Sequence, residues 1–585
     1  MQRGDETRER DGSDVHRAVV HWSAPRDQRV PHAPTGGGSI IPTDIHGVRR
    51  HPTCQNHRSC AVRLRHAFGN EERHGLGRKV GPMLAICHSS TIVGLEAFEV
   101  EVEVDIARGL PAFDLVGLPE AAVKESRVRV RSAIEHMGFA FPMRRVTVNL
   151  APADVRKFGA GFDVAIAVAV LAASGEVPAE ALIPWVMIGE LSLNGSIRPV
   201  RGVLTQVLGA KRRGARGVIV PYDNAAEAAV VEGIDVRVAP SLRAVIEFLR
   251  SEGELEPARA GDNAVRPEST VDLADVRGQS AAKRALEIVA AGGHNVLFSG
   301  PPGGGKTMLA RTIPGLLPAM SFDESLETTA IHSVAGLLRP GVPLMAERPF
   351  RAPHHTASAV GLLGGGEPPR PGEIALAHNG VLFLDELPEF LRDALEGLRE
   401  PLEDGCVTIV RARSRTTFPA KFTLVAAMNP CPCGFYGDPS DRCSCSDDRI
   451  KKYRARISGP LMDRIDLFVP LPPVRVAQLG EPPDGPHTSD VRARVVAARE
   501  RQRLRPVQRG EINSRLASRS LNDIAALDAE SRALLSTASD RLGLSARAAT
   551  RVLRVARTIA DIEGVDAVAS AHVAEAIGYR TPDGQ

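Results

Sequence analysis

No apolar run in the 585-residue sequence approaches the ~18 residues that a membrane span needs. The longest, Val164 to Ala173, follows Asp163 and stops at Ser174, which excludes a transmembrane role. Net charge is nearly absent as well. Lys+Arg 73 against Asp+Glu 70 leaves +3, and with 43% hydrophobic and 24% charged residues the chain is neither a disordered polyelectrolyte nor a wholesale polycation. Cysteine is sparse at eight, and no apolar stretch follows the charged start as in a secretory signal. A secreted disulfide framework is therefore excluded and a cytoplasmic location is expected.

What is present is unevenly spread. Residues 1–82 hold 14 Arg and Lys against nine Asp and Glu, a net of +5, with eight of the 17 His and no apolar periodicity. This segment is expected to be a disordered or mis-assigned extension, with translation beginning at Met83; a basic tail touching nucleic acid and a linker are the alternatives. The remaining chain is then at −2, so any nucleic-acid contact must rest on local placement of Arg.

From residue 84 to 250 strand and helix patterns alternate. Phe98 to Val104 has strict period two, apolar on one face and acidic on the other, as a half-exposed strand requires. Glu120 to Met137 has helical spacing, Val146 to Leu150 reads as a strand, Asp163 to Ala173 as a buried helix, and strands at Trp185 to Leu191 and Gly217 to Val220 bracket a helix over Val203 to Arg213. Residues 251–270, rich in Glu, Pro, Gly and Asp, read as a linker. A second α/β unit is expected over 271–470, a proline- and glycine-containing linker over 471–487, and an Arg-rich helical region over 488–580.

The second unit carries the chemistry. Asn295 to Ser299 is a short apolar strand running into Gly300-Pro301-Pro302-Gly303-Gly304-Gly305-Lys306-Thr307, the G-x-x-x-x-G-K-[ST] phosphate loop in its required strand-to-helix context. Glycines let backbone N–H groups converge on phosphate oxygens, Lys306 reaches the β/γ-phosphates, and the Thr307 hydroxyl ligates Mg²⁺. Val381-Leu382-Phe383-Leu384-Asp385-Glu386 reads as a buried parallel strand ending in two carboxylates. Asp385 would hold Mg²⁺ and Glu386 would act as the base for the attacking water. Phe422 to Met428 is a third strand, and Asn429 at its end could bond the γ-phosphate or the lytic water. Downstream, Arg464 and Arg547 are candidates for a finger acting on a neighbour's nucleotide and for a second sensor from the lid.

This order of P-loop, Asp-Glu strand, sensor Asn, finger Arg and helical lid resembles the AAA+ ATPases. The segments Arg348-Pro349-Phe350-Arg351-Ala352-Pro353-His354-His355-Thr356, Pro371 to Gly380 and Asn429-Pro430-Cys431-Pro432-Cys433-Gly434 look like the magnesium-chelatase-like ATPases of the ComM/YifB type. In the front region, Gly109 to Phe113, Val116 to Glu120 and Val148 to Asp154 fit the same family, so the resemblance spans 84–580. It implies ATP and Mg²⁺ as cofactors, a Lon-protease-like front domain, a ring-shaped homo-oligomer, expected to be a hexamer, and a helicase driving branch migration on branched or single-stranded DNA in natural transformation. A magnesium-chelatase motor subunit is the alternative, but those subunits lack a Lon-like front domain and the Cys-Pro-Cys loop. A protein-remodelling ATPase without DNA is another.

A Lon-like front raises the question of peptidase activity, which needs a Ser activated by a Lys. The turn Gly159-Ala160-Gly161-Phe162 has no Ser. Lysine is scarce throughout, nine against 64 Arg, and Gly195 to Gln206 has Arg198 and Arg201 but no Lys. Proteolysis is not expected. Residues 354–370 look like a loop inserted in helix 2 of this clade, and 406–421 alternate as a hairpin with Arg411, Arg413 and Arg415 near its tip, candidates for contacting DNA phosphates in a central pore. Cys431, Cys433, Cys443 and Cys445 supply four soft ligands in two pairs, tighter than the usual C-x₂₋₄-C spacing. Structural Zn²⁺ is expected, against free thiols in a loop. His354 and His355 are expected to diverge and to serve in hydrogen bonds rather than to hold a metal.

Overall fold

The computed structural model describes residues 84–261, 271–411, 414–437, 442–474, 485–506, 508 and 510–580. The expected extension over 1–82, and residues 262–270 and 475–484 of the two expected linkers, lie outside the described residues. Among the described residues no helix is long and apolar enough to cross a membrane.

In chain order the front region contributes β1 (Leu84–Val93), β2 (Glu96–Ala107), β3 (Ala112–Val116), β4 (Arg145–Ala151), β5 (Trp185–Met187), β6 (Glu190–Leu191), β7 (Ile197–Arg198), β8 (Gly217–Pro221), β9 (Asp235–Ala239) and β10 (Glu256–Pro257). Eight of these form a mixed sheet in the order β10-β9-β8-β5-β1-β2-β4-β3, while β6 and β7 pair separately. The period-two segment is β2, with Val100, Val102 and Val104 fully buried. Apolar all round, the helix Asp163–Ala173 is buried along its whole length, as a helix without a polar face must be. Trp185 on β5 packs edge-on against Phe248, ring centroids 5.1 Å apart.

Three local expectations need correction. The helix read over Glu120 to Met137 breaks at Glu125 into Ala121–Lys124 and Ser126–His136. Ser126 turns its hydroxyl onto the Val123 carbonyl, in competition with the helical ladder. The strand read over Trp185 to Leu191 splits because the Gly189 N–H leaves the sheet for the Gly161 carbonyl at 2.9 Å. The stretch read as a linker begins as structure: β10 pairs antiparallel with β9, beside the buried Leu255.

The second sheet comprises β11 (Val296–Ser299), β12 (Phe350–Arg351), β15 (Val381–Leu384), β18 (Thr423–Met428) and β19 (Leu467–Pro470). Between them lie two hairpins, β13 (Gly364–Gly365) with β14 (Arg370–Pro371), and β16 (Cys406–Arg411) with β17 (Ser414–Pro419). The five strands run parallel in the order β12-β15-β18-β11-β19. Both faces are covered, as a parallel sheet requires. Phe298, Phe383 and Val425 pack with the helices Ser280–Gly292 and Lys306–Leu316, whereas Leu297, Leu382 and Leu424 pack on the other side with Ile331 and Leu395. The strand order reverses at β11, so a crevice opens at its carboxyl end beside β18, where open α/β sheets bind ligands.

The front unit docks on the helix Phe322–Ala335. The Gly202 N–H donates to the Ser333 carbonyl at 3.2 Å, and the Ser333 hydroxyl donates to Glu227, whose carboxyl is pushed up by burial. After residue 485 the chain is helical: Thr488–Leu504, Ser518–Ala525, Ala529–Leu542, Ala546–Glu563 and Ser570–Gly578. A polar junction ties this region to the sheet. The buried Asp466 carboxylate accepts from the Asn295 N–H at 2.9 Å and pairs with Arg551 at 2.6 Å, with the His294 ring 3.6 Å away. Burial alone would raise its pKa, but His294, Arg551 and the Asn295 N–H hold it well below the usual carboxylate range.

A carboxyl depressed in the folded state stabilises fully above the unfolded pKa of about 3.9, and that stabilisation is lost as pH falls below it. Asp466→Asn should accordingly cost about 2–3 kcal/mol at pH 7, because hydrogen bonds to a charged group are removed. The deficit should shrink below about pH 4. Urea midpoints at pH 7 and pH 3.5 check this, and a deficit independent of pH would reject it.

Candidate nucleotide site

The buried strand β11 ends at Ser299, and the chain turns through Gly300 to Gly305 into the helix Lys306–Leu316. Gly303 and Gly305 have φ of +77° and +84°, which glycine adopts without strain. No side chain caps the helix, so its first N–H groups and the positive end of its dipole are available to an anion.

Lys306 reaches back over the loop. Its Nζ donates to the carbonyls of Gly300 at 2.7 Å and Pro301 at 3.0 Å, and to Asn429 Oδ1 at 3.0 Å. Burial lowers the Lys306 pKa, and the charges of Asp385 and Glu386 partly restore it. Thr307 Oγ1 donates to Asp385 Oδ2 at 2.8 Å, and the Glu386 N–H donates to Asp385 Oδ1 at 3.0 Å. Thus the carboxyl ends of β11, β15 and β18 bring together Lys306, Thr307, Asp385, Glu386 and Asn429. The hydroxyl and carboxylate of Thr307 and Asp385, already in contact, are a donor set of hard oxygens suited to Mg²⁺.

Glu386 sits in the left-handed region with φ 52° and ψ 46°. Its Oε2 lies 3.0 Å from His355 Nδ1, and the side chain is 52% exposed. The two His rings do not diverge: their centroids are 4.1 Å apart. Both nevertheless hydrogen-bond, His354 with the Thr356 hydroxyl at 2.9 Å and His355 with Glu386.

Sequence reasoning missed His355 as the partner of Glu386. It missed Gln279 too, whose Nε2 joins the Gly304 carbonyl (3.3 Å) to that of Pro472 (2.7 Å) across the loop. The Gln279 φ of +57° carries no sequence signal that would have given it away.

The two candidate arginines stand elsewhere. Arg464 follows the helix Gly459–Met462 and precedes the amino end of β19, the end of the sheet opposite the phosphate loop. It is 7% exposed, donates to the carbonyls of Arg399 (2.9 Å) and Pro460 (2.7 Å), and pairs with Glu403 at 2.6 Å. Arg547 is exposed in the first turn of Ala546–Glu563 and makes no hydrogen bond or ion pair among the described residues. Neither joins the Lys306 cluster.

In the hairpin, Val410 opposes Arg415 and Arg411 opposes Ser414. Arg411 and Arg415 are exposed, and Arg413 lies outside the described residues. The Sγ atoms of Cys431, Cys433, Cys443 and Cys445 lie within 4.8 Å of one another. Cys431 is 3.3 Å from Cys433 and 3.7 Å from Cys443, and Cys433 is 3.6 Å from Cys443.

The family model described as magnesium chelatase, subunit ChlI, matches residues 272–479; companion models for subunit ChlI and its C-terminal part match 102–224 and 485–580. The YifB protein of Salmonella typhimurium is 45% identical over 502 residues, 86% of this chain and 97% of that protein. Competence protein ComM of Haemophilus influenzae is 45% identical over 504 residues, 85% and 97% respectively. The chain belongs to the ComM/YifB family of magnesium-chelatase-like AAA+ proteins.

Membership of the ComM/YifB family implies ATPase activity with ATP and Mg²⁺. Lon protease 2 of Bacillus subtilis is also similar, 25% identical over 190 residues, 29% of this chain and 34% of that protein. In this ComM/YifB chain the front-unit Lys157 is buried, and its ammonium donates to the Pro152 carbonyl.

Proposed function

We propose that this chain is the ATP-hydrolysing subunit of a hexameric, cytoplasmic ring that moves on DNA, as a branch-migration helicase in recombination and natural transformation. The observation that carries the reading is the meeting of Lys306, Thr307, Asp385, Glu386 and Asn429 at the point where the strand order reverses. Lys306 binds the β/γ-phosphates, Thr307 and Asp385 hold Mg²⁺, Asn429 orients the γ-phosphate or water, and Glu386 takes the proton of the attacking water. When bound, Mg²⁺ neutralises charge developing on the phosphate oxygens. Arg464 serves a neighbouring subunit once released from Glu403, and Arg547 acts from the helical lid. The front unit is read as a Lon-protease-like platform without peptidase activity, and the four-cysteine cluster as a structural zinc site.

Two observations support DNA as the substrate: the exposed Arg411 and Arg415 beside the turn of the β16–β17 hairpin, and similarity to a relative named a competence protein. ATPase activity should rise with branched or single-stranded DNA; no stimulation by any DNA would sink the helicase reading in favour of a chelatase or protein-remodelling motor. Replacing Arg411, Arg413 and Arg415 together by Ala should weaken single-strand binding about tenfold or more at low salt. It should also flatten the log K against log salt slope by about 0.7 for each phosphate that is no longer neutralised. Unchanged affinity in a salt titration would refute the pore role.

A further inference from the structure

The four-cysteine cluster has the donors and the spacing for a metal ion, and it adjoins the phosphate loop. A tetrahedral ion with metal–sulfur bonds of about 2.3 Å places its sulfur atoms about 3.8 Å apart. The sulfurs of Cys431, Cys433 and Cys443 lie 3.3, 3.6 and 3.7 Å from one another, and all four sulfurs converge within 4.8 Å. Cys431 is fully buried and accepts the Tyr436 N–H at 3.3 Å, which fixes its sulfur in place.

Two links run from this cluster to the phosphate loop. Asn429, which receives Lys306 Nζ at 3.0 Å, is two residues before Cys431, so the two Cα atoms are at most about 7.6 Å apart. The second link is Gly434, one residue after Cys433. Its φ is +86°, and a Cβ there would stand 2.7 Å from Cδ of Pro302 in the phosphate loop and 3.9 Å from Cγ of Asn429. The cysteine loop therefore lies in contact with both walls of the crevice.

We infer that Zn²⁺ held by Cys431, Cys433, Cys443 and Cys445 braces Asn429 and Pro302, so that zinc occupancy sets nucleotide affinity and turnover. This rests on the reading of the Lys306 cluster as an ATP site and assigns that site a metal-dependent positioning element. Zinc supplies no chemistry to hydrolysis. It fixes the cysteine loop, and the loop fixes the side chains that touch the phosphates.

The test uses the full chain purified under reducing conditions without added metal. Zinc content is measured by mass spectrometry, nucleotide affinity with a fluorescent ATP analogue, and turnover by phosphate release. The wild type should carry about one zinc per chain. Cys443→Ser with Cys445→Ser, which spares the buried Cys431, should lose the zinc and weaken both affinity and turnover by about tenfold or more, with unchanged circular dichroism. Gly434→Val should keep the zinc and show the same loss, separating the contact with Pro302 from the metal itself. If the double variant does not fold, chelating the wild-type zinc should lower affinity and adding Zn²⁺ should restore it.

Less than about one-third of an equivalent of zinc in the wild type overturns the inference. So does wild-type affinity in a zinc-free chain or in Gly434→Val. A wild type that holds zinc but binds no nucleotide overturns the ATPase reading and the inference together, whereas equal nucleotide binding in every variant overturns the coupling alone.

Discussion

Replacing Glu386 by Gln is expected to leave ATP binding intact and to cut turnover by about 10²–10⁴-fold, the range for removing a general base. The substitution keeps the size of the side chain and removes its ability to take a proton. The contact with His355 Nδ1 at 3.0 Å loses its charge but can persist as a hydrogen bond to the Gln amide oxygen, and little else should change. Asp385 is positioned by Thr307 and by the Glu386 backbone N–H, neither of which the substitution touches. Lys306 is held by Gly300, Pro301 and Asn429, not by Glu386. Glu386 already holds a left-handed backbone with a side chain of this size and branching, so Gln at the same position adds no new strain. Equilibrium binding of the ATP analogue beside single-turnover hydrolysis checks this, and normal hydrolysis by the variant would remove Glu386 from the role of base.

Lys306→Ala is expected to fail one step earlier, at binding. Truncating one partner of a desolvated charge pair costs about 2–5 kcal/mol, so affinity for ATP should fall by a factor of about 30 or more. Burial already works against the Lys306 charge, as its lowered pKa shows, so the site holds a cation whose full counter-charge arrives with the phosphates. The variant also strips a donor from the Gly300 and Pro301 carbonyls and from Asn429, which loosens the loop itself. Lys306→Met keeps most of the stem and loses the charge and the donor together, so its comparison with Lys306→Ala isolates what the packing of the stem contributes. Calorimetric titration with ATP is the measurement; near wild-type affinity in both variants would mean that the nucleotide binds elsewhere.

The parts of this site that sequence alone revealed are those whose chemistry is local. A four-residue buried strand followed by glycines and Lys306, or by Asp385 and Glu386, carries its meaning within a few positions. The same holds for β2, where the side-chain period declares a half-covered face. What stayed hidden depends on contacts between distant segments. Nothing near His355 marks it as the neighbour of Glu386, because that contact exists only once β12 and β15 lie parallel in the sheet. The breaks at Glu125 and Gly189 were invisible for a related reason: a hydroxyl and an amide found partners that a hydrophobic pattern does not encode. Arg464 is the instructive case. Its order in the chain suggests a finger, whereas the structure shows it clasped by Glu403 and two carbonyls, bonds that a finger would have to exchange.

Trp185, wedged against Phe248 in the front sheet, has a practical consequence. The only other tryptophan in the sequence is Trp22, and residues 271–580 contain none. Among the described residues indole emission therefore comes from Trp185 alone, and residues 271–580 add none to it. A tryptophan introduced there, at Tyr436 for example, would be the one indole in residues 271–580 and would report on the crevice from beside the cysteine loop.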